Sequence, residues 1–132
     1  MVRAFEGLLR KAAERKKATS AVVNISSVAA QSGIGSNVAY CASKAALDSM
    51  TRSLGRALAP QIRVLSVAPG WVEGAYTKNI DPAYLQAQRD ATPLARLAKS
   101  EDVARAVWAA AETLTFSTGS VIPVDGGRLL GN

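Results

Sequence analysis

The stretch from Ala21 to Leu47, AVVNISSVAAQSGIGSNVAYCASKAAL, constrains this chain more than any other. It opens with the apolar, β-prone run Ala21-Val22-Val23-Asn24-Ile25, short enough for a buried parallel strand. Ser26 and Ser27 stand where that strand ends, and a loop containing Gly33 and Gly35 follows. Ala39-Tyr40-Cys41-Ala42-Ser43-Lys44-Ala45-Ala46-Leu47 then begins a long helical pattern. Tyr40 and Lys44 are four apart, so on a helix they share one face, one turn separated. Ser27 precedes Tyr40 by thirteen residues, with a loop between that can fold back.

These residue types suit one kind of chemistry. A free tyrosine hydroxyl titrates near about pH 10, too high for an efficient base at neutrality. An ammonium group one turn away favours the phenolate by Coulomb attraction. A serine hydroxyl can donate to a carbonyl or alkoxide oxygen and hold it beside the tyrosine. Ser27, Tyr40 and Lys44 are therefore the candidate catalytic residues for proton exchange with an alcohol or a ketone. None of them accepts a hydride, so a redox reaction needs a cofactor such as nicotinamide. A Tyr-x-x-x-Lys pair alone is common and usually marks a solvated helix face or an amphipathic tyrosine; the larger constellation is what carries specificity.

In chain order, residues 2–17 form an amphipathic pattern with Val2, Phe5, Leu8, Leu9 and Ala12 on its apolar side. Ala18-Thr19-Ser20 connect to a strand over 21–26. A helix over about 39–59 continues an inward stripe through Leu47, Met50, Leu54 and Leu58, and Pro60 helps to end it. Residues 62–67 are the second strand, with a sharp turn at Ala68-Pro69-Gly70. Asp81-Pro82 starts a short helix to about Asp90, and Thr92-Pro93 breaks it. Ser100 resembles an N-cap for a helix of about 101–113, with Glu101 and Asp102 in its first turn. Residues 119–124 read as a last strand, although Pro123 argues against a central, fully bonded position. With no repeat, low-complexity segment or linker, residues 1–132 form a single α/β domain.

Strand, Ser-Ser-Val, the thirteen-residue spacing and Tyr-Cys-Ala-Ser-Lys-Ala-Ala at a helix start closely resemble the short-chain dehydrogenase/reductase family. The element order resembles the C-terminal half of that fold over essentially the whole chain. Pro69-Gly70-Trp71-Val72 looks like the family's Pro-Gly turn, Ser100-Glu101-Asp102-Val103-Ala104 like its final helix, and residues 118–127 like its final strand. The resemblance implies a partial Rossmann-like, doubly wound parallel sheet: three C-terminal strands with flanking helices. It implies that Ser27 orients substrate, Tyr40 exchanges the proton, and Lys44 tunes Tyr40 and contacts the nicotinamide ribose. Tyr40, Lys44, Pro69, Gly70 and Val72 would meet NAD or NADP. Where the family often has a polar side chain that contacts cofactor, this chain has Gly74. Trp71, Tyr84 and Leu85 are candidates for a substrate pocket under the 71–98 segment or, equally, for core packing.

The first dinucleotide-binding half has no counterpart in these residues. A pyrophosphate is held by a glycine-rich turn at a helix N-terminus, and Gly33-Ile34-Gly35 is not G-x-G-x-x-G. Two readings follow. One is an oxidoreductase, or part of one, interconverting a carbonyl and an alcohol, with the phosphate-binding turn supplied elsewhere. The other is a non-catalytic interaction module that keeps the family's oligomerisation helices, 2–17 and 39–59. Either predicts a homo-oligomer or a complementary N-terminal half as partner.

Composition trims the remaining classes. A net charge of +6 permits attraction to polyanions, but aromatics are only 5% and no basic-aromatic stripe suggests base stacking, so no nucleic-acid partner is expected. The cluster Arg10, Lys11, Arg15, Lys16 and Lys17 suits a solvated helix terminus. No apolar run approaches the roughly 18–20 residues that span a bilayer, so no membrane partner is expected. The start, Met1-Val2-Arg3-Ala4-Phe5-Glu6, lacks the apolar core of a signal peptide, which makes a cytoplasmic location the expectation. One cysteine, Cys41, and no histidine leave no metal site in prospect.

Overall fold

A computed structural model describes residues 2–131. Its centre is β2 (Ile62–Pro69), a parallel neighbour of both β1 (Ser20–Ile25) and β3 (Val121–Val124), so the sheet order is β1-β2-β3. Ser20 pairs with Ile62 and Ile25 with Val67 on one side of β2; Ser66 pairs with Val121 on the other. The near-continuous apolar run of β2 is what a strand covered on both faces requires. Ile62, Val64, Leu65 and Val67 are completely buried.

Successive β2 side chains serve opposite layers, the period-2 rule of a strand. Ile62 and Val64 join Leu58, with Val2, Leu9 and Leu54 packed on them from α1 (Val2–Lys16) and α3 (Val38–Ala57). Leu65 and Val67 join Ala110 on the other face, under Val103, Ala106 and Val107 of α5 (Ser100–Trp108). Each such aliphatic side chain contributes about 1.5–3 kcal/mol when fully buried. The result is three layers, helices on both faces of a parallel sheet, as the resemblance implied.

The details depart from the sequence pattern in several places. Met50 is exposed, and α3 turns Asp48, Thr51 and Gly55 inward instead. Polar pairing explains the shift: Thr51 Oγ1 accepts from Asn24 Nδ2 at 2.9 Å, bonds Ser66 Oγ at 2.8 Å and donates to the Leu47 carbonyl, pinning α3 to β1 and β2 together. Gly55 allows the backbone of Gly119 to approach, since a Cβ there would lie 2.7 Å from the Gly119 nitrogen. Phe5 and Leu8, placed on the apolar side of α1, are exposed.

The expected turn at Ala68-Pro69 is still strand, because Gly70 N–H bonds the Val124 carbonyl and carries the ladder past Pro69. Ser100 is the first helical residue of α5, not its cap; the Asp102 carboxylate accepts from the Lys99 N–H at 2.8 Å and does the capping. The α5 helix widens into a π-turn at Ala109–Thr113. Its C-terminal carbonyls at Ala110, Ala111 and Leu114 are taken by the buried Arg63 guanidinium from β2. A cation at a helix C-terminus satisfies orphan carbonyls and opposes the helix dipole.

Pro123 lies on an edge strand, as its residue type demands. Ser120 and Val124 carbonyls bond β2 (to Ser66 N–H and Gly70 N–H), so the alternation of backbone groups turns Pro123's missing N–H to the free edge.

Candidate active site

The site is built at the C-terminal ends of β1 and β2, the crevice where open parallel sheets place ligands. Ser26 N–H bonds the Val67 carbonyl and Val28 N–H bonds the Pro69 carbonyl, so the two strands stay tied as they end. The segment read as a plain loop contains one helical turn, α2 (Ala29–Ser32), stopped by Gly33 in the left-handed region at φ 69°. Ser27 Oγ accepts from the Ala29 N–H at 3.2 Å and is buried. That bond fixes the oxygen and leaves its hydroxyl proton to be donated.

Asn37 opens α3. Its Oδ1 accepts from the Tyr40 N–H at 2.8 Å, the usual bond of an N-cap side chain to the third helical residue. The cap thereby sets Tyr40 in the first turn. Gly35 sets it from below: a Cβ there would sit 2.9 Å from Cys41 Sγ and from Ala29 Cβ, and 3.1 Å from Tyr40 Cδ1. Cys41 is thus a packing residue behind the tyrosine. Lys44 Nζ lies 5.8 Å from the centroid of the Tyr40 ring and bonds the Ile25 carbonyl at 2.8 Å.

Ser27, Tyr40, Gly70 and Trp71 line one cavity of about 640 Å³. Lys44, Pro69 and Val72 are not in its wall. Lys44 stands behind Tyr40, and the Pro69 and Val72 carbonyls are taken by Val28 N–H and by Tyr76 Oη (2.6 Å) respectively. Gly70 must be small, because Cα and Cβ of Asp125 approach to 3.1 Å of where its Cβ would be. Of the two further candidates, Tyr84 lines the cavity and meets Trp71 edge-on at 5.9 Å, whereas Leu85 is buried in the core.

Sequence reasoning missed several wall residues: Ile34, Tyr76, Gln88, Arg128 and Leu129. Tyr76 sits in a 3₁₀ turn, Ala75–Asn79, whose irregular pattern gave no face to read. Arg128 and Leu129 arrive from beyond β3 because Asp125 folds the chain back; its two carboxylate oxygens accept from the Gly127 and Leu129 N–H groups. An Asp-Gly-Gly turn was the available signal.

The family model for enoyl-(acyl carrier protein) reductase matches residues 1–128. The chain belongs to the short-chain dehydrogenase/reductase family. A short-chain dehydrogenase/reductase homolog of Bacillus subtilis, YusR, is 34% identical over 116 residues, 88% of each chain. The dihydromonapterin reductase of Klebsiella pneumoniae is 36% identical over 127 residues, 96% of this chain and 50% of that one. Among solved structures, the Pseudomonas aeruginosa RhlG/NADP active-site complex superposes with a TM-score of 0.83 at 36% identity, covering 96% of this chain and 51% of that one. Apart from the Bacillus protein, the chain spans about half the length of such relatives. No described helix is long and apolar enough to cross a membrane.

Proposed function

We propose that this chain carries the acid–base half of an NAD(P)-dependent oxidoreductase that interconverts a carbonyl and an alcohol. The observation that carries the reading is the convergence of Ser27, Tyr40, Gly70 and Trp71 on one cavity with Lys44 behind the tyrosine ring. Ser27 donates to the substrate oxygen, since its own acceptor side is held by Ala29 N–H. Tyr40 gives a proton to that oxygen during reduction and takes it back during oxidation. Trp71 packs against the substrate body.

The residues present fit the nicotinamide end of a dinucleotide. An ammonium has three donors, and Lys44 spends one on Ile25, leaving two for ribose hydroxyls. Tyr40, Gly70, and the Pro69–Val72 turn would flank the ring. When bound, the nicotinamide supplies or accepts the hydride. The NADP complex of the similar RhlG structure supports that cofactor class. The pyrophosphate site belongs to a partner: a complementary dinucleotide-binding half, on the same or another chain, seated along the free edge of β1.

Complementation tests this. The chain would be combined with the dinucleotide-binding half of the Klebsiella dihydromonapterin reductase and assayed for NADPH-dependent reduction of a panel of ketones. Tyr40→Phe should lower turnover about 10²–10⁴-fold, the usual contribution of a general acid or base, with the fold intact. Near-wild-type turnover in that variant would remove Tyr40 from the mechanism.

A further inference from the structure

Among the described residues, the cavity beside Ser27 and Tyr40 has a single charged side chain in its wall, Arg128. Its Nη2 donates to Oε1 of Gln88, another wall residue, at 3.2 Å. Among the described residues no carboxylate comes within ion-pair distance of this guanidinium. The acidic neighbour in sequence, Asp125, spends both oxygens on backbone N–H groups. Arg128 is therefore a half-buried cation steered by a neutral amide, with donors left over. The rest of the wall is largely aromatic and apolar: Trp71, Tyr76, Tyr84, Ile34 and Leu129.

A guanidinium in such a setting matches a carboxylate in a planar, two-bond fork. Partial exclusion of water by the aromatic wall strengthens that attraction over its value at an open surface. The structural arginines have their donors taken up by the protein instead: Arg63 by Thr19 and three helix-end carbonyls, Arg96 by Asp102 at 2.6 Å. We propose that Arg128 makes this site selective for oxo or hydroxy acids: compounds whose reacting oxygen meets Ser27 and Tyr40, whose apolar body lies against Trp71 and Tyr84, and whose remote carboxylate pairs with Arg128. The proposal rests on reading Ser27 and Tyr40 as the reacting end.

The probes are 4-oxo-4-phenylbutanoate and its methyl ester, which share the ketone and the aromatic body and differ in charge. Each is titrated into the chain while the indole N–H resonance of Trp71 is followed, assigned by comparison with Trp108→Phe. The acid should bind about tenfold more tightly than the ester, the equivalent of about 1.4 kcal/mol. In Arg128→Gln that ratio should fall to about one, with Arg128→Lys between, and added salt should weaken the acid alone. Equal affinities in the wild-type chain, a comparison that needs no variant, would overturn the proposal while leaving the cavity reading intact. So would an unchanged ratio in folded Arg128→Gln. If neither compound shifts Trp71, the cavity reading itself fails and the proposal with it.

Discussion

Lys44 Nζ donates a 2.8 Å hydrogen bond to the carbonyl of Ile25, the last residue of β1. Ser20 and Ser26 N–H groups bond the β2 side, so the alternation along the strand turns the Ile25 carbonyl to the free edge. One ammonium thus closes an orphan edge acceptor and stands behind the Tyr40 ring.

Lys44→Met separates these two duties. The bond is solvent-exposed, so its loss should cost no more than about 1 kcal/mol of stability. Turnover of the complemented reductase should fall far more, by about 10²-fold or greater. Urea unfolding read beside the assay checks both; a large stability loss with little change in rate would make Lys44 structural.

Gly35→Ala should act on the site through packing. The added methyl would crowd Ala29, Cys41 and the Tyr40 ring, all at 2.9–3.1 Å. Overpacking of this kind costs about 1–3 kcal/mol and moves what it presses on. The expected outcome is a folded protein with a displaced Tyr40: turnover lowered, the Tyr40 ring resonances shifted, and both rescued in part by Cys41→Ala, which vacates the space.

What the sequence disclosed and what it hid divides along physical lines. Strand and helix periods are local, so β1, β2, α3 and α4 (Pro82–Asp90) were legible nearly to their ends. That Ser27 and Tyr40 face one cavity with Lys44 behind the ring was legible as a grouping in space, because their spacing runs through one turn-and-helix unit. Met50 was misplaced because an apolar stripe takes no account of the Asn24–Thr51–Ser66 hydrogen bonds that rotate α3. Arg63 gave no hint of its partners, Thr19 and the carbonyls of Ala110, Ala111 and Leu114 in and just after the π-turn, 44 to 51 residues away. Arg128 and Gln88 come together only through the Asp125 turn and the packing of Gly127 against Pro93.

The start of α5 should depend on acid. Hydrogen bonding to Arg96 first, then to the Lys99 N–H, lowers the Asp102 pKa from 3.8 to about 2. A carboxylate depressed in the folded state adds stability above its unfolded pKa and loses it as pH falls through the folded one. The contribution should therefore be complete above about pH 4 and vanish between about pH 4 and pH 2. A carbonyl-carbon NMR titration of Asp102 gives its midpoint directly, and Arg96→Gln should raise that midpoint. A midpoint near 4 in the wild-type chain would contradict the pairing.

The two sheet edges should behave differently in association. The outer edge of β3 is blunted by Pro123, whereas β1 presents Val23 and the exposed Ile25, has no proline or charged residue of its own, and is covered by Lys44 only at the Ile25 carbonyl. Such an edge invites pairing. Sedimentation of the chain alone should show concentration-dependent association, and Ile25→Lys should shift it toward monomer. A sharply monomeric species over a wide concentration range would count against the open edge as a partner site.

These 132 residues by themselves should hold a dinucleotide only weakly. Dinucleotides are held largely at the pyrophosphate and adenosine ribose, by glycine-turn amides and a helix dipole. Here Gly33 ends a one-turn helix and Gly35 packs beneath Tyr40, so neither cradles phosphate. What remains is the nicotinamide end: Tyr40, Lys44 and the Pro69–Val72 turn. Each missing charge-assisted contact removes about 1.5–3 kcal/mol. The chain alone should therefore bind NADH or NADPH no better than about millimolar, near −4 kcal/mol, and should not turn over a ketone. Adding the complementary half should restore micromolar affinity. Calorimetric titration decides: low-micromolar binding by the chain alone would mean that another of its surfaces, or its self-associated form, holds the phosphates, and the divided-site reading would be abandoned.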